Sequence, residues 1–283
     1  MTAMQLIMLA INASMFLIVF ALGLHATLEN ATFLFRHPRL FVRSVLSMNI
    51  AMLAFALLVC VLFDPPPAIK IALVALAVSP VPPVLPGKQF KAGGSAGYTI
   101  GLLVGAALVA IVLVPLEIEV LGRVADVGMH MPIAKVTSIV LVSIVVPLLA
   151  GVAIRHLAPS FAQRAAHPIS LFATVLLIAA CLPVLFVETP LLWTLVGNGV
   201  LACLVLFTLV GIAVGHFLGG PEHDDRTVLA LATATRHPGI AIAIASINFP
   251  DQKVVMAIVL YHLVVGTIVS LPYVRWRKRT QAA

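Results

Sequence analysis

Apolar residues run through this chain in blocks of about 20, separated by short clusters of charge, proline and glycine. No stretch alternates polar and apolar residues with the two-residue period of a barrel strand. Each block has the length an α-helix needs to cross a hydrocarbon core of about 30 Å. Segmentation on charges and helix breakers places nine crossings, at 4–27, 39–63, 68–92, 93–116, 131–155, 168–188, 190–218, 226–248 and 253–274. The pattern predicts an all-α polytopic membrane protein, a single integral-membrane domain over 1–283. The loops between blocks, under about 20 residues, are too short to bury a core of their own.

Composition agrees, with 62% hydrophobic and only 10% charged residues. A formal charge of +7 would also suit a nucleic-acid binder, but the basic residues lie between apolar blocks and in the tail "RWRKR", not on one amphipathic face. They read instead as a topology signal, and no nucleic acid is expected as partner. One side of the membrane collects Arg36, Arg39, Arg43, Lys88, Lys91, Arg155, Arg164, Arg226, Arg275, Arg277, Lys278 and Arg279, against Lys70, Arg123, Lys135 and Lys253 on the other. The positive-inside rule then puts the N-terminus outside and the C-terminus in the cytoplasm, with a bacterial inner membrane as the expected location. The first block, "MQLIMLAINASMFLIVFALGL", lacks a basic n-region and a small-residue cleavage site and reads as a retained helix. Cys60, Cys181 and Cys203 lie inside apolar blocks without metal-ligand spacing, so they read as packing residues and no metal or cofactor is expected.

The third and eighth crossings are irregular in a related way. The third contains "ALAVSPVPPVLPG" and the eighth "ALATATRHPG", so that Ala75, Leu76, Ala77 and Pro83 match Ala230, Leu231, Ala232 and Pro238 at one offset of 155. Proline cannot donate to the helical ladder and disfavours helix in the residue before it, so Pro80, Pro82, Pro83, Pro86 and Pro238 should unwind the backbone near the midplane. Free backbone groups survive at that depth only inside protein or beside a water-filled cavity. A pair of broken helices in corresponding halves points to the binding site of a secondary transporter.

At this point the chain resembles the bile acid:sodium symporter family, part of the BART superfamily of secondary transporters that also holds arsenite permeases. "MFLIVFALGLHATL" is similar to the family's second helix and "RHPRLFVRSVL" to the entry of its third. "LALAVSPVPPVLPGKQFKAGG" is similar to its broken fourth, "GPEHDDRTVLALATATRHPGIAIAIA" to its broken ninth and "VVMAIVLYHLVVGTIVSL" to its tenth. The resemblance implies two inverted repeats, about 4–116 and 131–274, with the two broken helices crossing at the midplane and the family's first helix missing. It also implies a panel of helices rocking against a core. The sodium ligands implied by the family are replaced: Ala232 stands at a glutamate position, Arg236 and His237 at a glutamine-asparagine pair, Leu85 and Pro86 at a serine-asparagine pair, and Met48 at a glutamine. Sodium wants several oxygen ligands, which these side chains do not supply, so sodium coupling is not expected.

An arginine at the bilayer centre costs about 2.5–3.5 kcal/mol on insertion scales and stays charged. No acid falls inside a predicted core: Glu29, Asp64, Glu117, Glu119, Asp126, Glu188, Glu222, Asp224, Asp225 and Asp251 all sit at ends or in loops. Arg236 is therefore left with backbone carbonyls, water or an anionic ligand. Pro238 and Gly239 begin a new half-helix whose free N–H groups carry positive dipole, and Lys88 and Gln89 lie on the corresponding half-helix of the third crossing. Arg236, His237, Thr233, Thr235, Gly239, Lys88 and Gln89 are the candidate substrate site, with Arg236 supplying the charge that sodium supplies in relatives. His237 either carries a proton with the substrate or stays neutral and hydrogen-bonds the freed carbonyls. Thr233 and Thr235 either line the cavity or bond back to their own helix, and Lys88 either contacts substrate or snorkels to the surface. His262, Asn49 and Asn12 read as interhelical hydrogen-bonders, and Gly101, Gly105, Gly211 and Gly215 as close-packing positions.

The sequence thus reads as a secondary active transporter of a small organic anion, monomer or homodimer, free of sodium coupling and open to proton coupling. The alternatives are a sodium-dependent symporter of bile acids or organic anions, an arsenite-like permease, an intramembrane enzyme with His25 or His262 packed against His237, and a membrane sensor. The permease lacks its expected cysteine at the third-crossing break, and the enzyme lacks an acid or second histidine near His237 in sequence, so no enzymatic activity is expected.

Overall fold

The computed structural model describes residues 3–196, 199–252 and 254–282. Lys253 lies outside them, as do the side chains of Cys181 and Glu188. Twelve helices follow in order among the described residues, with no strand: α1 Ala3–His25, α2 Leu28–Arg36, α3 Pro38–Phe63, α4 Pro67–Val78, α5 Leu85–Lys91, α6 Ala96–Val124, α7 Ile133–Leu157, α8 Pro159–Val196, α9 Val200–Leu218, α10 His223–Ala234, α11 Pro238–Asn248 and α12 Val254–Ala282. Eight segments are long and apolar enough to cross a membrane, the pair α10–α11 counting as one; the remaining expected crossing is the short pair α4–α5.

The boundaries depart from the sequence reading in three places. A separate helix, α2, occupies the expected loop after α1, because Thr27 and Asn30 form a reciprocal capping box and Pro38 at the first position of α3 starts a new direction. Helix α6 continues past Pro115 to Val124, its last turns carrying an exposed Glu119–Arg123 pair four residues apart. Helix α8 runs to Val196, and the chain turns at Gly199, whose φ of 80° suits glycine, instead of near 189.

Helices α1, α7 and α8 pack together as one layer. Gly23 and Gly151 let α1 and α7 touch backbone to backbone: a Cβ on Gly23 would stand 2.4 Å from Leu148 O, and one on Gly151 2.3 Å from Phe20 O. Leu24 closes the other face of α1 against Ala162 and Ala166 of α8. The large apolar cluster is built mainly from α3, α4, α5, α6, α9, α10, α11 and α12, and Leu34 of α2 and Val136, Val140 and Ile144 of α7 join it, so α7 touches both the layer and the cluster. Both broken helices lie within this cluster, surrounded by protein, as unwound backbone at membrane depth requires.

The glycines expected at close helix contacts are found there. A Cβ on Gly101 would meet Leu34 N at 2.9 Å, and one on Gly105 the Leu34 side chain at 2.8 Å, so α2 lies directly on α6. On α9, Gly211 and Gly215 face the backbone of α10 at Ala234 and Ala230. Helix α10 is thereby held by its backbone on one side, which fixes where its C-terminus breaks.

Candidate functional site

The two breaks meet. Helix α4 ends at Ser79, α10 ends at Thr235, and both residues have extended backbone, with ψ of 142° and 129°. The His237 N–H donates to Pro80 O at 2.8 Å, joining the two unwound segments by their main chains. Pro80, Pro82 and Pro83 lie in the first break, as expected. Pro86 does not: it occupies the first turn of α5, where a missing N–H is harmless, just as Pro238 opens α11.

Arg236 is the largest fully buried side chain among the described residues, with 0% exposure. Its Nη1 donates to Ser79 O at 3.1 Å and its Nη2 to Met48 O at 2.6 Å. The first acceptor is the terminal carbonyl of α4, at the negative end of that helix dipole. The second is available because α3 widens into a π-helical turn over Leu46–Ala51, which shifts the carbonyls out of the ordinary ladder. One guanidinium therefore ties together three main-chain segments: the α10–α11 break, the α4–α5 break and the π turn. Its Nε has no partner among the described residues.

The expectation that no acid shares the depth of Arg236 is corrected by Glu117. It sits inside α6, half-buried, within electrostatic range of Arg236 and in hydrogen-bonding reach of the Asn49 side chain, while its Oε2 has no partner among the described residues. Continuation of α6 beyond Pro115 brings it into the bundle; a helix ending at 116 would have left it in a loop.

The other candidates divide into tied and free groups. Thr233 is buried and pairs its hydroxyl with Ser47 of the π turn, oxygen to oxygen 2.6 Å. Gln89 donates from Nε2 to Val228 O at 2.8 Å, fastening α5 to α10. The Lys88 ammonium donates to the buried hydroxyl of Ser270 on α12. Thr235 keeps part of its surface, and Gly239, in the first turn of α11, is exposed.

His237 is 2% exposed, and neither Nδ1 nor Nε2 has a hydrogen-bond partner among the described residues. Its backbone N–H is the group that joins the breaks, through Pro80 O. His262 is equally buried, edge-on to Phe207 at 5.4 Å between centroids and facing the Ala234 backbone at the end of α10. Asn49 does bridge helices, toward Glu117, and Asn12 is exposed. No group of three or more histidine, cysteine, aspartate or glutamate side chains able to hold a metal occurs among the described residues.

Sequence reasoning missed Ser47, Met48 O, Ser79 O and Glu117 as parts of this site. Ser47 and Asn49 gave a signal, as polar residues inside an apolar block, but the π turn that presents Met48 O has no side-chain signature.

An all-helical membrane protein whose two interrupted helices touch at their breaks has the architecture of a secondary transporter. Residues 13–193 match the Sodium Bile acid symporter family, a stretch that includes the first break and ends before the second. The chain belongs to that family, which is a family of transporters. It is also similar to the P3 protein of Bos taurus, with 26% identity over 215 residues covering 65% of this chain and 42% of the relative. The chain thus matches less than half the length of that relative.

Proposed function

We propose that this protein is a secondary active transporter that moves a small organic anion by alternating access, with Arg236 permanently occupying the place of a coupling sodium ion. The observation that carries the reading is the coordination of Arg236. A buried cation is held by main-chain carbonyls of the other broken helix and of the π turn in α3, the kind of hard oxygen donors a sodium ion would use. No free ion is then needed to hold the two breaks together. The basic loops and tail support an external N-terminus and a cytoplasmic C-terminus.

The anion meets positive potential from Arg236 and from the N-terminus of the 11-residue helix α11, at the surface left by Thr235 and Gly239. His237 lies at the break beside this surface and is the group that would carry a co-transported proton. The layer of α1, α7 and α8 is the element that moves against the body holding the crossing.

A panel of small organic anions screened for thermal stabilisation of the purified protein tests the reading. At least one anion should raise the melting temperature equally in sodium and choline buffers, and its uptake into proteoliposomes should follow a proton gradient. A gain seen only in sodium contradicts the assignment.

A further inference from the structure

A cavity of about 360 Å³ opens at the end of the molecule where α9, α10 and α12 converge, lined by His216, His223, Arg226, Trp276, Arg277 and Thr280. A tight turn builds it. Gly219 packs so closely that a Cβ there would stand 2.4 Å from Arg226 Cα, and Gly220 takes a φ of 93°, folding α10 back along α9. Arg226 Nε then donates to Gly220 O at 2.7 Å, and Arg43 reaches the same turn, its Nη1 being 3.1 Å from the position of a Cβ on Gly220.

Arg277 is only 2% exposed. Its Nε donates to Thr227 Oγ1 and its Nη2 to His223 O, each at 2.7 Å, and its guanidinium carbon lies 5.4 Å from the centroid of the Trp276 ring. The ion pairs Arg36–Glu29, Lys70–Asp64 and Arg123–Glu119 lie elsewhere. The acids of the same turn, Glu222, Asp224 and Asp225, do not line the cavity, and Asp225 accepts from Ser95 Oγ at 3.1 Å.

A topology signal needs only exposed lysine or arginine. It does not account for a buried guanidinium without a carboxylate, beside a second guanidinium and two imidazoles around one cavity. The bonds to Thr227 and His223 hold the Arg277 guanidinium but leave its charge uncompensated, which an anion in the cavity would neutralise. The planar donor fork of arginine suits phosphate oxygens, and the N-terminus of the 12-residue helix α10 adds positive dipole on the same side. Trp276, 49% exposed, lies near the end of the apolar span Val254–Thr280, where an indole suits the headgroup region of a bilayer. Basic pockets between transmembrane helices recognise acidic headgroups in this manner.

We propose that this cavity binds a phosphate group, carried by the headgroup of an acidic phospholipid or by a small phosphorylated solute. The site is separate from the crossing and does not depend on what the protein transports. The test uses the full chain in nanodiscs of phosphatidylcholine alone, of phosphatidylcholine with phosphatidylglycerol, and of phosphatidylcholine with inorganic phosphate added. Melting temperature and lipid retained in native mass spectrometry are read for the wild type, Arg277→Gln and Arg226→Gln. Arg226 is half-exposed, so its variant remains informative if the buried Arg277→Gln fails to fold.

Stabilisation and lipid retention with phosphatidylglycerol, weakened about tenfold or more in Arg226→Gln, assign the lipid source. Stabilisation by inorganic phosphate in phosphatidylcholine, weakened in the same variant, assigns the soluble one. Absence of any response to either, or a response that Arg226→Gln leaves unchanged, overturns the proposal.

Discussion

Arg236 and Ser79, 157 residues apart, are joined by a 3.1 Å hydrogen bond from Nη1 to the carbonyl that ends α4. The bond matters because Ser79 O is the last carbonyl of one broken helix and Arg236 follows the last turn of the other. Between them, a fixed positive charge meets the negative end of a dipole at a fully buried position. The Met48 carbonyl completes the arrangement from α3.

Glu117 and Arg236 should act on stability as a coupled pair. Each lies in the other's field, and Asn49 anchors the carboxyl side. In a thermal or chemical unfolding cycle, Glu117→Gln and Arg236→Gln should deviate from additivity by about 0.5–3 kcal/mol. Additive single effects would remove Glu117 from the site.

The Ser47–Thr233 pair should show the signature of two buried hydroxyls that need each other. Thr233→Val strands the Ser47 hydroxyl and should cost about 1–3 kcal/mol of stability, whereas Ser47→Ala with Thr233→Val should cost less than the sum of the single changes. Unfolding midpoints of the three variants in detergent check this.

Gly215 should tolerate no side chain. A Cβ there would stand 2.5 Å from Leu229 O and 2.6 Å from Ala230 Cα, so Gly215→Ala must push α10 away from α9 at a cost of about 1–3 kcal/mol. Gly87, inside α5 with nothing within 4 Å of its Cβ position, is the control: Gly87→Ala should be neutral or stabilise by up to about 1 kcal/mol. A melting-temperature comparison of the two separates steric packing from a general intolerance of substitution.

Much of the fold was legible because hydrocarbon imposes helix on every crossing and proline marks where a helix stops. The breaks at Pro80–Pro83 and at Pro238 follow from that chemistry alone, as do the close-packed faces at Gly101, Gly105, Gly211 and Gly215. The acceptors of Arg236 were not legible, since carbonyls belong to every residue and only the π turn and the end of α4 select Met48 and Ser79. Glu117 was hidden for a related reason: its own charge marks the end of the predicted crossing 93–116, yet α6 continues to Val124. The roles of Lys88 and Gln89 were decided by tertiary partners, Ser270 and Val228, that lie 182 and 139 residues away.

The claim that Arg236 stands in for sodium is tested most directly by its removal. Burying the guanidinium costs about 2.5–3.5 kcal/mol, and each charge-assisted hydrogen bond returns about 1.5–3 kcal/mol, so the midpoint of Arg236→Ala alone discriminates little. Its response to sodium does. Melting temperatures of the wild type and Arg236→Ala in matched sodium and choline buffers should be independent of the cation for the wild type. For the variant, whose Ser79 and Met48 carbonyls are left open, sodium should raise the midpoint, by about 2.7 kcal/mol of stability at a hundredfold excess over Kd. Sodium-dependent stabilisation of the wild type, absent from the variant, would contradict the account.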